Sequence, residues 1–311
     1  MAQMTRRSSG PLESTRCPAC GGMSLRSFGT PRVIDSGIVE SRPTTVCRCQ
    51  DCDLLFFVPV QSVSALSDQY SKLAEDLWTG EDRPDWTLAR GEVVRHGSAG
   101  RVLDVGCWTG RFLHSLPPQY EKWGIEPSQW ARARAAAGGV MFAGDSLEQI
   151  ASHRAEFDVI TMIDVIEHTT EPLEALVLAA SGLRDGGILA IATGDSRALP
   201  WRLMPRDYWY YFSEHVCFFS ERWFRWAASR ADLRIEAITR FSRYPTNSTT
   251  MPHLELATAY VYRLMGGSRS RPARFAGRAP WLRQHLDTHH WRDHILVVFR
   301  KSSDTGLHKG S

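Results

Sequence analysis

Two small sets of residues carry the chemistry this sequence can do. The first is a pair of Cys-x-x-Cys runs, Cys17-Pro-Ala-Cys20-Gly-Gly and Cys49-Gln-Asp-Cys52, with 28 residues between them. Glycine after the second cysteine permits a tight knuckle in which two thiolates converge on one ion. Two knuckles supply the four sulfurs of a closed tetrahedral zinc site, though iron could occupy the same thiolates. Five of the seven cysteines fall between Cys17 and Cys52. The odd total and the spacing argue for metal ligation rather than disulfides. With no open coordination position, Cys17, Cys20, Cys49 and Cys52 form a structural site, and about 50 residues would hold too little core to fold without it. Cys47 could compete as a ligand, but its place in an apolar run reads as a strand residue facing a small core.

The second set is acidic. Asp104, Glu126, Asp145 and Asp164 each lie at or next to the end of a short apolar segment. A ligand crossing four such ends meets a row of carboxylates. Carboxylates suit hydroxyl, amine and ammonium groups and do not suit a pyrophosphate. Glu126 lies 22 residues past Asp104, a separation that suits an acid on ribose hydroxyls. The Gly-x-Gly-x-x-Gly run of a dinucleotide site is absent. Further on, Ser213-Glu214-His215 sits inside an aromatic run from Leu199 to Phe219. An aromatic wall with one Glu-His pair is a candidate acceptor pocket with His215 as general base. His168 is its competitor for that role.

These residues need a scaffold that brings strand ends together. Arg101 to Leu113 supplies its centre: a strand from Val102 to Val105, a turn through Gly106 and Gly110, and an apolar helix start at Phe112. Strand, glycine turn and helix in that order place backbone N–H groups at the carboxyl end of a strand, where open α/β sheets bind ligands. Further strands are expected at 122–126, 140–143, 157–163 and 188–193, with a helix capped by Ser128 and another over 171–183. Alternation of strand and helix predicts a mainly parallel sheet. Two late strands, 233–241 and 294–300, are expected to pair antiparallel at its edge. The fold class is therefore α/β, a doubly wound Rossmann-like sheet of seven strands with its last strand antiparallel. A zinc-ribbon-like module precedes it. The expected organisation is a tail over 1–14, the zinc module over 15–60 with a hairpin within 33–46, and a helical linker over 61–96. The main domain follows over 97–302, with an insert near 245–292 and a tail over 303–311. Tyr70, Trp78 and Trp86 are read as helix-packing residues of the linker.

Composition excludes several classes. Net charge is +3, which makes the bulk electrostatic case for nucleic acid weak. The first 14 residues lack an apolar signal core, and no apolar run approaches the roughly 20 residues of a membrane helix, so a cytoplasmic location is expected. The stretch 256–286 carries Arg263, Arg269, Arg271, Arg274, Arg278 and Arg283 and no acid. A solvated loop is the plain reading; the functional readings are a nucleotide diphosphate on the acceptor, a membrane surface or nucleic acid. His285, His289 and His290 match no metal spacing and are read as surface residues.

Taken in order, the runs at 104–110 (Asp-Val-Gly-Cys-Trp-Thr-Gly), 124–128 (Gly-Ile-Glu-Pro-Ser), 144–146 (Gly-Asp-Ser), 157–160 with 164–168 (Phe-Asp-Val-Ile, Asp-Val-Ile-Glu-His) and 183–189 (Leu-Arg-Asp-Gly-Gly-Ile-Leu) resemble the motifs of class I S-adenosylmethionine-dependent methyltransferases. The resemblance implies that Asp104, Gly106 and Gly110 hold the methionine end of the cofactor and Glu126 its ribose. Asp145 would then lie near the adenine amine, with Ile163 and Asp164 lining the site. Trp108 departs from the family's small residue and is expected to point outward against the amino-terminal helices. With the cysteine module, the chain is also similar to zinc-containing methyltransferases of sugar nucleotides and glycans. Among these, the deoxysugar C-methyltransferases carry Tyr-x-Glu-His where this chain has Phe212-Ser-Glu214-His215, and they have a further carboxyl-terminal domain. Both departures favour O-methylation of a sugar, glycan precursor or other small hydroxylated acceptor. The alternatives are an RNA methyltransferase docking through its zinc module, and a non-catalytic interaction protein on a degenerate methyltransferase fold.

Overall fold

A computed structural model of the protein describes residues 15–35, 43–60, 83–96, 99–206, 208–243 and 292–303. The expected tail over 1–14, the part of the helical linker that carries Tyr70 and Trp78, the arginines of 263–283, the histidines at 285, 289 and 290, and residues 304–311 lie outside the described residues.

Two sheets organise the rest. The larger has seven strands: β4 (Arg101–Val105), β5 (Glu121–Ile125), β6 (Met141–Gly144), β7 (Phe157–Ile163), β8 (Leu183–Gly194), β10 (Leu233–Phe241) and β11 (His294–Lys301). Their order across the sheet is β10-β11-β8-β7-β4-β5-β6. β4, β5, β6, β7 and β8 pair in parallel, and β11 inserts antiparallel between β8 and β10. The order reverses beside β4, so the crevice opens where β4 and β7 end side by side, the switch point at which such sheets bind ligands. Val102, Leu103, Ile160, Leu189, Val297 and Phe299 are buried, as strands covered on both faces require. The β8 strand starts at Leu183, so the expected helix over 171–183 is α4 (Pro172–Gly182) and the Gly186-Gly187 turn lies within the strand.

Local chemistry sets the helix starts. Ser128 caps α3 (Gln129–Ala137), its hydroxyl accepting from the Ala131 N–H at 3.2 Å. Helix α1 (Pro84–His96) opens on a proline and an aspartate, which suit the first turn. Helix α2 (Arg111–Ser115) follows Gly110, whose φ of 77° is easy for glycine.

The smaller sheet has the order β1-β2-β3-β9, formed by β1 (Leu25–Gly29), β2 (Thr45–Cys49), β3 (Leu55–Val58) and β9 (Cys217–Phe218). The hairpin pairs Leu25 with Cys49 and Ser27 with Cys47, so it begins earlier than the expected 33–46. Its fourth strand comes from the far side of the chain: Leu55 faces Phe218 and Phe56 faces Cys217. The cysteine module therefore does not close on itself at residue 60. Cys47 is fully buried in the core that spans both sheets.

Candidate active site

The carboxyl ends of β4, β5 and β7 open on a cavity of about 810 Å³. Asp104, Gly106, Glu126, Asp145, Ile163 and Asp164 line it together, as do His168, Glu214 and His215. Gly110 stands behind the wall; its part is the turn into α2, where an added Cβ would press on Val140 at 3.0 Å. Gly106 has φ 70°, and a Cβ there would meet Val165 Cγ2 at 2.7 Å, so a side chain is excluded at the mouth of the strand.

Glu126 is 4% exposed, and its carboxylate is oriented by the backbone. The Trp108 N–H donates to Oε2 and the Ser128 N–H to Oε1, both at 2.9 Å. Each oxygen keeps lone-pair capacity for a ligand hydroxyl. Asp104 is deeper: the Thr161 hydroxyl donates to its Oδ1 at 2.6 Å. Burial, with a smaller push from the Glu126 charge and against the pull of the Thr161 hydroxyl, raises its carboxyl to about 7. A deep carboxyl beside an oriented one fits a cofactor that brings amine and hydroxyl groups. Asp145 lies at the rim, its side chain 57% exposed and paired with Arg132 at 3.5 Å.

Trp108 is expected to pack outward against the amino-terminal helices, of which residues 61–82 lie outside the described residues. Its backbone turns left-handed at φ 48°, and its ring lies against Trp130 of α3, centroids 5.7 Å apart, while still lining the cavity. The turn is held by the N–H bond to Glu126, which directs the ring along the side of the crevice.

On the opposite wall, sequence reasoning named Asp164 and missed its two arginine partners. Asp164, also left-handed at φ 53°, accepts from both Arg83 and Arg243, and Arg83 also pairs with Asp85. Burial pushes the Asp164 carboxyl up, but the two guanidiniums outweigh it and hold it well below the usual carboxylate range. Neither arginine sits in a recognisable motif; Arg83 stands one residue before α1 and Arg243 two residues after β10.

The histidines meet as a pair. Their rings are 4.8 Å apart, edge to face. The Nδ1–H of His215 donates to the Tyr210 carbonyl at 3.0 Å, and that of His168 to the Glu214 carbonyl at 3.2 Å. Since a carbonyl can only accept, Nδ1 is the donor in each ring, and the neutral His215 ring carries its lone pair on Nε2. Burial, then the charge of His168, holds His215 well below its usual range, so it is neutral at pH 7. Glu167 completes the group; its ligand atom and those of the histidines lie within 4.8 Å of one another, a cluster able to share a proton or a cation. Its carboxylate accepts from the Tyr210 and Thr193 hydroxyls. Glu214 accepts from the Ser213 hydroxyl at 3.3 Å.

The aromatic run does less in the cavity than its composition suggests. Trp209, Tyr210 and Phe212 line it. Trp201, Tyr208, Tyr211 and Phe218 instead pack with Val46, Leu55 and Phe57 of the small sheet. Much of the expected aromatic wall is thus core that binds the module to the large sheet.

At the module's other end the four cysteines come together. Cys17 and Cys52 sulfurs are 3.5 Å apart, as are those of Cys20 and Cys49. That is far beyond a disulfide's roughly 2 Å. It is close to the roughly 3.8 Å edge of a tetrahedron of sulfurs about 2.3 Å from zinc. The donor set fits a thiophilic ion.

A seven-stranded sheet of this order, with carboxylates at adjacent strand ends around one crevice, defines the class of S-adenosylmethionine-dependent methyltransferases. The chain belongs to the methyltransferase domain family, whose model matches residues 77–238, just over half of it. It is 28% identical over 109 residues to a ubiquinone biosynthesis O-methyltransferase of Salmonella arizonae, and 27% identical over 109 residues to that of Escherichia coli. Each match covers 32% of this chain, and the chain spans 45% of the length of those relatives. Among solved structures it is similar to an S-adenosylmethionine-dependent methyltransferase from Mesorhizobium loti, at 15% identity and TM-score 0.45, over 70% of this chain and 97% of that one. One from Methanosarcina mazei gives 12% and 0.47, over 68% and 98%. Among the described residues, no helix is long and apolar enough to cross a membrane.

Proposed function

We propose that this protein methylates a hydroxyl of a small acceptor, a sugar, glycan precursor or nucleotide sugar, with S-adenosylmethionine as donor. Asp104 and Glu126 hold the cofactor by its methionine end and its ribose, Asp145 lies toward the adenine, and Gly106, Gly110, Ile163 and Asp164 shape its bed. When bound, the cofactor's sulfonium supplies the methyl group as an electrophile. The acceptor occupies the part of the cavity between Trp209, Phe212 and the histidines. His215 takes the hydroxyl proton on Nε2, Tyr210 fixes the ring's tautomer, and His168 and Glu214 hold the wall around it. The observation that carries the reading is that His215, neutral and tautomerically fixed, faces the cavity that Asp104 and Glu126 line. The O-methyltransferase relatives support oxygen as the methylated atom. Cys17, Cys20, Cys49 and Cys52 hold a structural zinc ion.

The test begins with calorimetric titration of S-adenosylhomocysteine into protein with one zinc per chain. Binding at one to one is expected. Acceptor screening then starts with nucleotide sugars. His215→Ala is expected to lower the transfer rate by about 10² to 10⁴ and to leave cofactor affinity within about threefold. Well-folded, zinc-loaded protein that binds no S-adenosylhomocysteine would refute the reading.

A further inference from the structure

The cysteine module touches the acceptor wall more closely than it touches the cofactor strands. The segment from Arg206 to Ser220, which carries His215, is bonded to it by backbone at three places. The Arg32 N–H donates to the Arg206 carbonyl at 2.7 Å. Ile34 donates to the Tyr211 carbonyl at 2.7 Å and accepts from the Ser213 N–H at 2.9 Å. β9, two residues past His215, is the fourth strand of the module's sheet. Between these anchors, the Val216 carbonyl accepts from the Phe57 N–H at 3.2 Å while the Val216 N–H donates to the Glu167 carbonyl at 2.8 Å. The histidine's next neighbour is therefore pinned between the module and the turn after β7.

One side chain ties the cysteine site to this segment. Asp53 follows the last cysteine directly and is 2% exposed. Its left-handed φ of 72° turns the chain out of the knuckle. Its carboxylate accepts from Ser220 at 2.6 Å, from Arg197 through two nitrogens and from Arg48 at 3.3 Å. Arg48 in turn donates to the Ser196 carbonyl at 3.0 Å, and the Ser196 N–H donates to the Phe219 carbonyl at 2.7 Å. A carboxylate buried with two guanidiniums and a hydroxyl is costly to rearrange, because losing one partner leaves charge in the interior.

We propose that the metal-loaded cysteine module is a positioning device for acceptor catalysis, with Asp53 the residue that fixes segment 206–220, and with it His215, to the metal knuckle. This rests on His215 acting on the acceptor. Asp53 touches neither cofactor nor acceptor, so its effect falls on the placement of the imidazole and not on the cofactor bed.

The test uses zinc-loaded protein with Asp53→Ala, and with Arg197→Ala as a second variant, whose side chain is 46% exposed and whose removal leaves Arg48 and Ser220 on the Asp53 carboxylate. Metal content and S-adenosylhomocysteine affinity are measured first and are expected to match wild type. Backbone hydrogen exchange is then followed by peptide. Exchange in peptides spanning 208–219 is expected to rise at least about tenfold, with those spanning 101–126 unchanged. Once an acceptor is in hand, KM for it rises and kcat falls while KM for the cofactor holds. The proposal is overturned if exchange over 208–219 stays at the wild-type rate in both variants and after chelation of the metal. It is equally overturned if loosening spreads evenly into 101–126. Failure of the wild type to bind S-adenosylhomocysteine would count against the methyl-transfer reading alone, since the exchange pattern is read without any ligand.

Discussion

The two walls of the crevice are built in different ways. The cofactor wall is assembled from backbone and near neighbours. Glu126 is oriented by the N–H groups of Trp108 and Ser128, 18 and 2 residues away. The acceptor wall is assembled from segments far apart in the chain: Asp53 meets Arg197 and Ser220 across 144 and 167 residues, and Arg48 meets Ser196 across 148. A wall of backbone donors at strand ends is fixed as soon as the sheet forms. A wall of long-range side chains depends on a second unit being folded and docked. The cofactor wall should therefore tolerate damage to the cysteine module, and the acceptor wall should not.

The largest effect that would sharpen this contrast is expected at Asp104. Its carboxyl is the deepest polar group of the cofactor wall, and the Thr161 hydroxyl is aimed at it. Asp104→Asn keeps the shape and removes the charge. Affinity for S-adenosylhomocysteine is expected to fall at least about a hundredfold, the scale of a lost charge-assisted contact in a dry site. Exchange over 208–219 should stay as in the wild type. If Asp104→Asn loosened the acceptor segment, the two walls would not be separable.

A smaller effect separates the walls by pH. The Asp104 carboxyl is raised to about 7 by burial, so in the empty protein it is largely protonated below that pH. The amine-bearing end of the cofactor calls for the carboxylate. Binding must then expel a proton at low pH, and affinity is expected to fall by up to about tenfold per unit below pH 7 and to level off above it. Stability runs the other way. The folded protein holds this proton more tightly than the unfolded chain, so the group's contribution is full below about pH 4 and is lost as pH rises through about 7. Calorimetry from pH 5.5 to 8.5 checks the affinity slope, which should vanish in Asp104→Asn. A slope that persists in that variant would assign the proton to another group, such as Glu126.

The same difference explains what the sequence made legible. Strand β4, the turn at Gly106 and Gly110, the cap at Ser128 and the acids at strand ends are local patterns, and each was found where its pattern placed it. The thiolate cluster was equally legible, because ligand spacing is a local constraint. The pairing of β3 with β9 was not, since a two-residue strand at Cys217 has no periodicity to detect. Arg83 and Arg243 were invisible for a related reason: each is an ordinary residue next to an element, and only the sheet order brings both to Asp164. The aromatic run misled because burial in a core and exposure in a pocket call for the same residue types. Trp201 and Tyr211 went to the first, Trp209 and Phe212 to the second.

Trp108 offers the finest test of the cofactor wall. Its φ of 48° is one that few side chains adopt, and the position is held by the hydrogen bond its N–H gives Glu126. What the ring adds is contact with Trp130 and a surface along the cavity. An aromatic pair of this kind is worth about 0.5–1.5 kcal/mol beyond its area. Trp108→Ala keeps the backbone donor, so Glu126 stays oriented, and cofactor affinity is expected to change by less than about tenfold. Trp108→Gly would relieve the left-handed backbone and separate conformational cost from ring contact. If either variant abolished S-adenosylhomocysteine binding, the side chain rather than the backbone would be the working part of the turn. The cofactor wall would then depend on side-chain packing in the way the acceptor wall does.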